Sequence, residues 1–199
     1  MNNLFALIII IFFVLNPLGN IPVYITTLKH VSAKRRSKII IREAIFALII
    51  LCIFLFAGHN ILKTMQISES ALGIAGGILL FIIAIRLIFP TYSKQEEEAK
   101  TVSEPFLVPL AIPLFAGPGA MTTVMLLSHQ HPHNTLAVFI ALLIAWLISS
   151  AILLASSKIS NILGARGLAA IERLMGMILT AIAIQMLLSG IQTYFHIAA

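Results

Sequence analysis

The chain has 199 residues, of which 60% are hydrophobic and only 10% charged, with a mean hydropathy of +1.05. A soluble domain of this length needs far more polar surface, so that class is excluded. The net charge of +6 would suit nucleic acid or a membrane surface, and its placement along the chain decides for membrane orientation with no nucleic-acid partner.

Crossing a bilayer takes a helix of roughly 20 apolar residues. Six such stretches follow one another, near 4–28, 39–62, 70–89, 105–128, 135–157 and 171–195. Their length and lack of strict alternation predict helices rather than barrel strands. The expectation is an all-α membrane protein, a single integral domain over 1–199.

The first span has no basic segment before it and is longer than a signal-peptide core, so it is expected to be retained. Its middle reads Asn16-Pro17-Leu18-Gly19-Asn20-Ile21-Pro22. Proline lacks an N–H and its ring clashes with the carbonyl four residues back. Pro17 is therefore expected to free the carbonyl of Phe13, and Pro22 that of Leu18. Gly19 lets the backbone bend, and Asn16 and Asn20 put two amides around the same turn.

Lys29, Lys34, Arg35, Arg36, Lys38 and Arg42 cluster between spans 1 and 2. Arg86, Lys94 and Lys100 lie around the link from span 3 to span 4, and Lys158, Arg166 and Arg173 around the link from span 5 to span 6. With Lys63 alone on the other side, twelve of the thirteen basic residues share one side. The positive-inside rule then places both termini in the periplasm and the basic loops in the cytoplasm.

The chain has no Asp, and its seven Glu are Glu43, Glu69, Glu96, Glu97, Glu98, Glu104 and Glu172. Glu43 and Glu172, beside Arg42 and Arg173, read first as interfacial anchors and second as gates or proton sites. Cys52 is alone and reads as packing. Gly73 and Gly77 form G-x-x-x-G on span 3, which predicts close helix packing. Arg86 reads as a snorkelling end residue. Residues 90–104 read as a solvated cytoplasmic linker.

In the fourth span Pro105, Pro109 and Pro113 recur every four residues, and Gly117-Pro118-Gly119 makes a sharper break with Thr122 and Thr123 behind it. His129, His131 and His133 alternate in the next loop, but Pro132 interrupts them and they read as ordinary loop histidines. No metal or cofactor is expected. Trp146 reads as bundle packing. Gln185, the deeper counterpart of Arg86, is expected to face the bundle interior.

Residues 77–86 align without gaps on 176–185 with five identities in ten, an offset of 99. The broken spans align at nearly the same offset, with Gly19 on Gly119 or Pro17 on Pro118. Residues 4–89 and 105–195 thus read as two three-helix repeats. An odd number of spans makes the second enter the bilayer in the opposite sense. Each repeat opens with a broken helix, and paired breaks in inverted halves point to a transporter's binding site. Free N–H groups at a half-helix start suit a carboxylate, and freed carbonyls suit an ammonium group or a cation. A structural kink with Asn and Thr as interhelical glue is the alternative for these residues.

The Asn16 to Pro22 stretch, Pro109 to Pro118 and Glu172-Arg173-Leu174-Met175-Gly176 resemble the MarC family over essentially the whole chain. Leu127 to Gln130 and Arg35-Arg36 look most like its YhgN branch. The resemblance implies a six-span bacterial inner-membrane protein of the small neutral amino acid transporter group, some of whose members are implied to move glycine or alanine. The family motif falls here on Asn16, Pro17, Gly19, Asn20, Pro22, Gly117 and Pro118, with Ala120 where the first half has Asn20.

The expected function is a secondary transporter for small neutral amino acids, with Asn16, Asn20, Thr122 and Thr123 orienting the solute and the halves rocking about it. A coupling ion, H+ or Na+, and a homo-oligomer are both compatible with that plan. A channel or exporter for another small solute, and a non-transporting membrane adaptor, are the competing readings. No span carries a convincing nucleophile and base, so an enzyme is not expected.

Overall fold

The computed structural model describes residues 4–28, 31–89, 116–131 and 134–195, and these form seven α-helices and no strand. The linker 90–104, the prolines at 105, 109 and 113, Lys29 and His133 lie outside the described residues. In chain order the helices are α1 (Leu4–Leu15), α2 (Pro17–Thr27), α3 (Ala33–Met65), α4 (Glu69–Ile88), α5 (Pro118–Gln130), α6 (Thr135–Leu154) and α7 (Ser156–Phe195).

Among the described residues five stretches are long and apolar enough to cross a membrane: Leu4–Ile25, Arg35–Gly58, Ser70–Ile88, Thr135–Leu154 and Ser156–Phe195. Of the expected span at 105–128 only the later part is described. It is α5, whose 13 residues span about 20 Å, short of the roughly 30 Å of hydrocarbon.

The helices sort their faces for lipid and for each other. On α3, Ile41, Ile45, Ile49, Ile53 and Phe56 are exposed, while Ile40, Ala44, Ala47, Leu51 and Leu55 are buried. Both sets repeat at helical spacing, so one apolar stripe meets neighbouring helices and the other is left for lipid. α3 packs on α5 and α6, α1 on α6, α2 on α6 and α7, and α5 on α4 as well as α3. The basic residues Arg35, Arg36, Lys38 and Arg42 lie on the first turns of α3 rather than in a loop.

α4 and α7 form the most extensive contact. A Cβ built on Gly77 falls 3.0 Å from the Ala183 carbonyl and 2.8 Å from Leu187. One built on Gly176 falls 2.9 Å from the Ala84 carbonyl and 2.8 Å from Ile88. Each glycine thus lets its helix lie against the partner's backbone, as small residues do in membrane bundles.

Two expectations change. The link between spans 5 and 6 is helical, because α7 begins at Ser156, directly after the turn at Ala155. No proline follows Pro132, so nothing stops the helix until Gly164, whose φ of 63° and ψ of 179° interrupt it in a region open essentially to glycine. Gln185 is exposed and donates to Ser189 Oγ at 3.3 Å. Leu179, Ala183, Met186 and Gly190 form the buried face of α7, and the helical period turns Gln185 away from it.

The seam gives a sharp contrast. Gly176→Ala and Gly77→Ala should each lower stability by about 1–3 kcal/mol through overpacking. Gly73→Ala should be neutral or slightly stabilising, because its Cβ would sit 3.7 Å from Gly190 Cα, an ordinary contact. Reversible unfolding in mixed micelles checks the order, and equal loss at all three positions would contradict this packing.

Candidate functional site

The break in the first span is set by two adjacent residues. The Pro17 ring disfavours right-handed helical geometry at the residue before it. Asn16 accordingly takes φ 47° and ψ 51°, a left-handed conformation that asparagine tolerates better than most residues. The helix is cut there, and Pro17 restarts it at the first position of α2, where a missing N–H costs nothing.

The cut is closed by the chain's own groups. Asn16 N–H donates to the carbonyls of Phe12 at 3.2 Å and Phe13 at 3.0 Å. The Phe13 carbonyl expected to be free is therefore taken. Asn16 Oδ1 accepts from Gly19 N–H at 3.2 Å, and Asn20 Nδ2 donates to the Leu15 carbonyl at 3.3 Å. Asn20 N–H also donates to the Asn16 carbonyl at 3.1 Å. Asn16, Pro17, Gly19 and Asn20 are all buried, and Pro22 is half-buried within α2.

The second start is built differently. α5 also has proline at its first position, Pro118, after the extended residue Gly117. Of the two alignments the sequence offers, the helix starts therefore match Pro17 with Pro118. Gly117 has no side chain to cap with, and no side chain among the described residues caps this end. Gly119 and Ala120 are buried just inside it, where the first N–H groups of a helix carry partial positive charge.

The α5 start is wedged between helices. Gly119 lies against the Leu80 side chain of α4, and Thr122 lies against Gly76 of α4. Thr122 and Thr123 are both buried. Thr123 Oγ1 donates back to the Gly119 carbonyl at 2.7 Å and sits 3.7 Å from Met186 Sδ of α7.

The two starts are neighbours. Ile11, Val14 and Leu15 of α1 and Ala120, Thr123 and Val124 of α5 line a narrow crevice. It is apolar, and no part of it is wide enough for a water molecule. Ten of the eleven candidate residues lie around these two starts, and Gln185 does not join them.

Sequence reasoning undervalued the basic end of α2 and α3. Glu43 is 0% exposed, not an interfacial anchor. Its Oε1 accepts from Arg42 Nε at 3.1 Å and Nη2 at 2.9 Å, while Oε2 has no partner among the described residues. Glu172, the other Glu beside an Arg, is only half-buried. Arg36 ties this end together, donating to the Leu28 carbonyl at 3.0 Å and to Ser157 Oγ at 2.8 Å. Trp146 of α6 does more than pack, since its Nε1 donates to the Ala44 carbonyl of α3 at 2.8 Å. The helical period of α3, with Ile40, Ala44 and Ala47 on the inner face, was the signal that could have placed Glu43 inside.

Comparison with known proteins gives the family. A family model described as MarC family integral membrane protein matches residues 1–195. A UPF0056 membrane protein of Buchnera aphidicola is 45% identical over 199 residues, 99% of this chain and 100% of that protein. The UPF0056 inner membrane protein YhgN of Escherichia coli is 45% identical over 98% of both chains. A UPF0056 membrane protein of Chlamydia muridarum is 34% identical over 99% of this chain and 97% of its own length. No solved structure matches. With the family model covering nearly every residue and relatives matching end to end, the chain belongs to the MarC family of integral membrane proteins.

Proposed function

We propose that this protein is a secondary transporter of the bacterial inner membrane for small neutral amino acids such as glycine and alanine, working by alternating access and performing no covalent chemistry on its solute. The observation that carries the reading is the packing of α1, just ahead of the Pro17 start, on the opening turns of α5 after Pro118, with a narrow crevice between their buried side chains. Irregular backbone at membrane depth is tolerated where protein buries it or a cavity is lined by it.

Inverted repeats are supported by the packing. Exchanging α2 with α5, α3 with α6 and α4 with α7 relates the larger contacts: α2 on α7 becomes α5 on α4, and α2 on α6 becomes α5 on α3. The seam obeys the same exchange, since Gly77 against Ala183 and Leu187 becomes Gly176 against Ala84 and Ile88 at the offset of 99. The relative in Escherichia coli is named an inner membrane protein, and the basic ends of the helices would face the cytoplasm.

In this scheme the observed crevice is the closed state. Opening α1 from α5 would expose the first N–H groups of α5, those of Gly119 and Ala120, to a carboxylate. The amides of Asn16 and Asn20, now turned onto their own backbone, and the Thr123 hydroxyl would become available to the ammonium end. A zwitterion would then be held by dipoles with no buried full charge.

Proteoliposomes loaded with glycine or alanine should show counterflow of the labelled solute; folded protein that exchanges no small amino acid would contradict the substrate class. Asn16 separates cap from conformation. Asn16→Gly keeps the left-handed turn and should cost a few tenths of a kcal/mol. Asn16→Ala also forces a left-handed Ala, and should cost roughly 2–3 kcal/mol by denaturation. Equal effects would show that the turn is not what Asn16 supplies.

A further inference from the structure

The basic residues at the start of α3 divide by face. Arg36 turns inward, donating to the Leu28 carbonyl and to Ser157 Oγ. Arg35, Lys38 and Arg42 are exposed. At about 100° per residue, all three fall within about 60° of one line down the helix. Ile41, Ile45 and Ile49 follow the same line and are 47%, 46% and 50% exposed. One outer stripe therefore carries cations at its head and bare hydrocarbon beyond, on a stretch long and apolar enough to cross a membrane.

The dimensions match one leaflet. Ile49 lies eleven residues past Lys38, about 16 Å along the axis, and half of the hydrocarbon core is about 15 Å. Cα–Cβ bonds in a helix tilt towards its N-terminus. The stems of Lys38 and Arg42 can thus lie on the apolar stripe with their charged ends at the interface.

The exposed charge on this stripe has one sign. α3 contains a single carboxylate, Glu43, and it is buried. Its Oε1 accepts from Arg42 Nε at 3.1 Å and Nη2 at 2.9 Å, a two-point grip that orients the guanidinium. The Arg42 side chain is still 43% exposed. Guanidinium groups suit phosphate oxygens through their fork of N–H donors, and a lysine ammonium adds a point charge. A free phosphate ion would use the cations and leave the isoleucines unused, whereas a phospholipid uses both. A headgroup with its own cation would be repelled, and one with net negative charge would not.

We propose that Arg35, Lys38 and Arg42 bind the phosphate of an anionic phospholipid of the phosphatidylglycerol type, whose acyl chain lies along Ile41, Ile45 and Ile49. Membrane orientation depends on how many cations flank a span and not on their face; the shared face is what a bound lipid requires. The site stands whether or not the protein is a transporter.

Native mass spectrometry of the full chain in detergent, with equal amounts of dioleoyl phosphatidylglycerol and dioleoyl phosphatidylcholine added, tests the site. Wild type should retain phosphatidylglycerol in preference; equal retention of the two lipids would overturn the proposal. One cation near a membrane surface is worth about fivefold in binding, so Lys38→Gln should weaken phosphatidylglycerol about fivefold and leave phosphatidylcholine unchanged. Lys63→Gln makes the same change of charge at the other end of α3 and should leave the preference intact. Both lysines are exposed, so neither change disturbs the core. An equal loss in the two variants would reduce the effect to net charge and overturn the site. Excess glycerol 3-phosphate should not displace the lipid; displacement would show an anion site with no acyl contact, contrary to the proposal.

Discussion

Hydrocarbon cannot hydrogen-bond a peptide, and this constraint organises the molecule. A helix cut in the middle of an apolar span strands N–H and C=O groups that water would otherwise satisfy. The turn at Asn16 answers that demand with five hydrogen bonds made by two asparagines, all within a stretch of nine residues. Asn16 supplies the left-handed backbone, the cap for α2 and the closing donor for α1; Asn20 reaches back for the Leu15 carbonyl. The result is a break that is rigid rather than loose, and it places a helix start deep inside the bundle.

The start of α5 solves the same problem incompletely. Proline again opens the helix, but glycine stands where a capping side chain would be. One start is closed on itself and the other has no side-chain cap among the described residues, and a narrow apolar crevice lies between α1 and α5 beside them. That asymmetry suits a site where one end of a small dipolar solute meets backbone N–H groups and the other meets side-chain oxygens. The surrounding helices supply a rigid frame: α4 and α7 lie backbone to backbone at Gly77 and Gly176, and Trp146 pins α6 to α3.

Much of this was legible in the residues. Unbroken apolar runs gave the helices of the described spans, Pro17 and Pro118 gave the two starts, and Gly77 gave a close helix approach without naming α7 as its partner, because each rests on local chemistry that tertiary context does not reverse. The left-handed Asn16 was implicit in an asparagine before proline, yet its capping bond from Gly19 N–H depends on how the following turn folds back. Gln185 was misplaced because depth along a helix says nothing of which face a side chain occupies; counting from Leu179 and Ala183 by the helical period would have turned it outward. Glu43 was misread for the related reason that its neighbour Arg42 suggested an interface, while its phase matches Ile40 and Ala47 on the inner face. The helix through Ser156 and beyond was missed because polar residues between spans were taken for loop, although no proline or run of turn residues interrupts them before Gly164.

The central claim is that α1 and α5 part and close around a solute at the two helix starts. Double-cysteine trapping across the crevice tests it most directly, with Val14→Cys and Val124→Cys in a Cys52→Ala background. The account predicts that oxidation joins the two helices, stops glycine and alanine counterflow, and that reduction restores it. A cross-link that forms fully and leaves exchange at the rate of the reduced protein would contradict it.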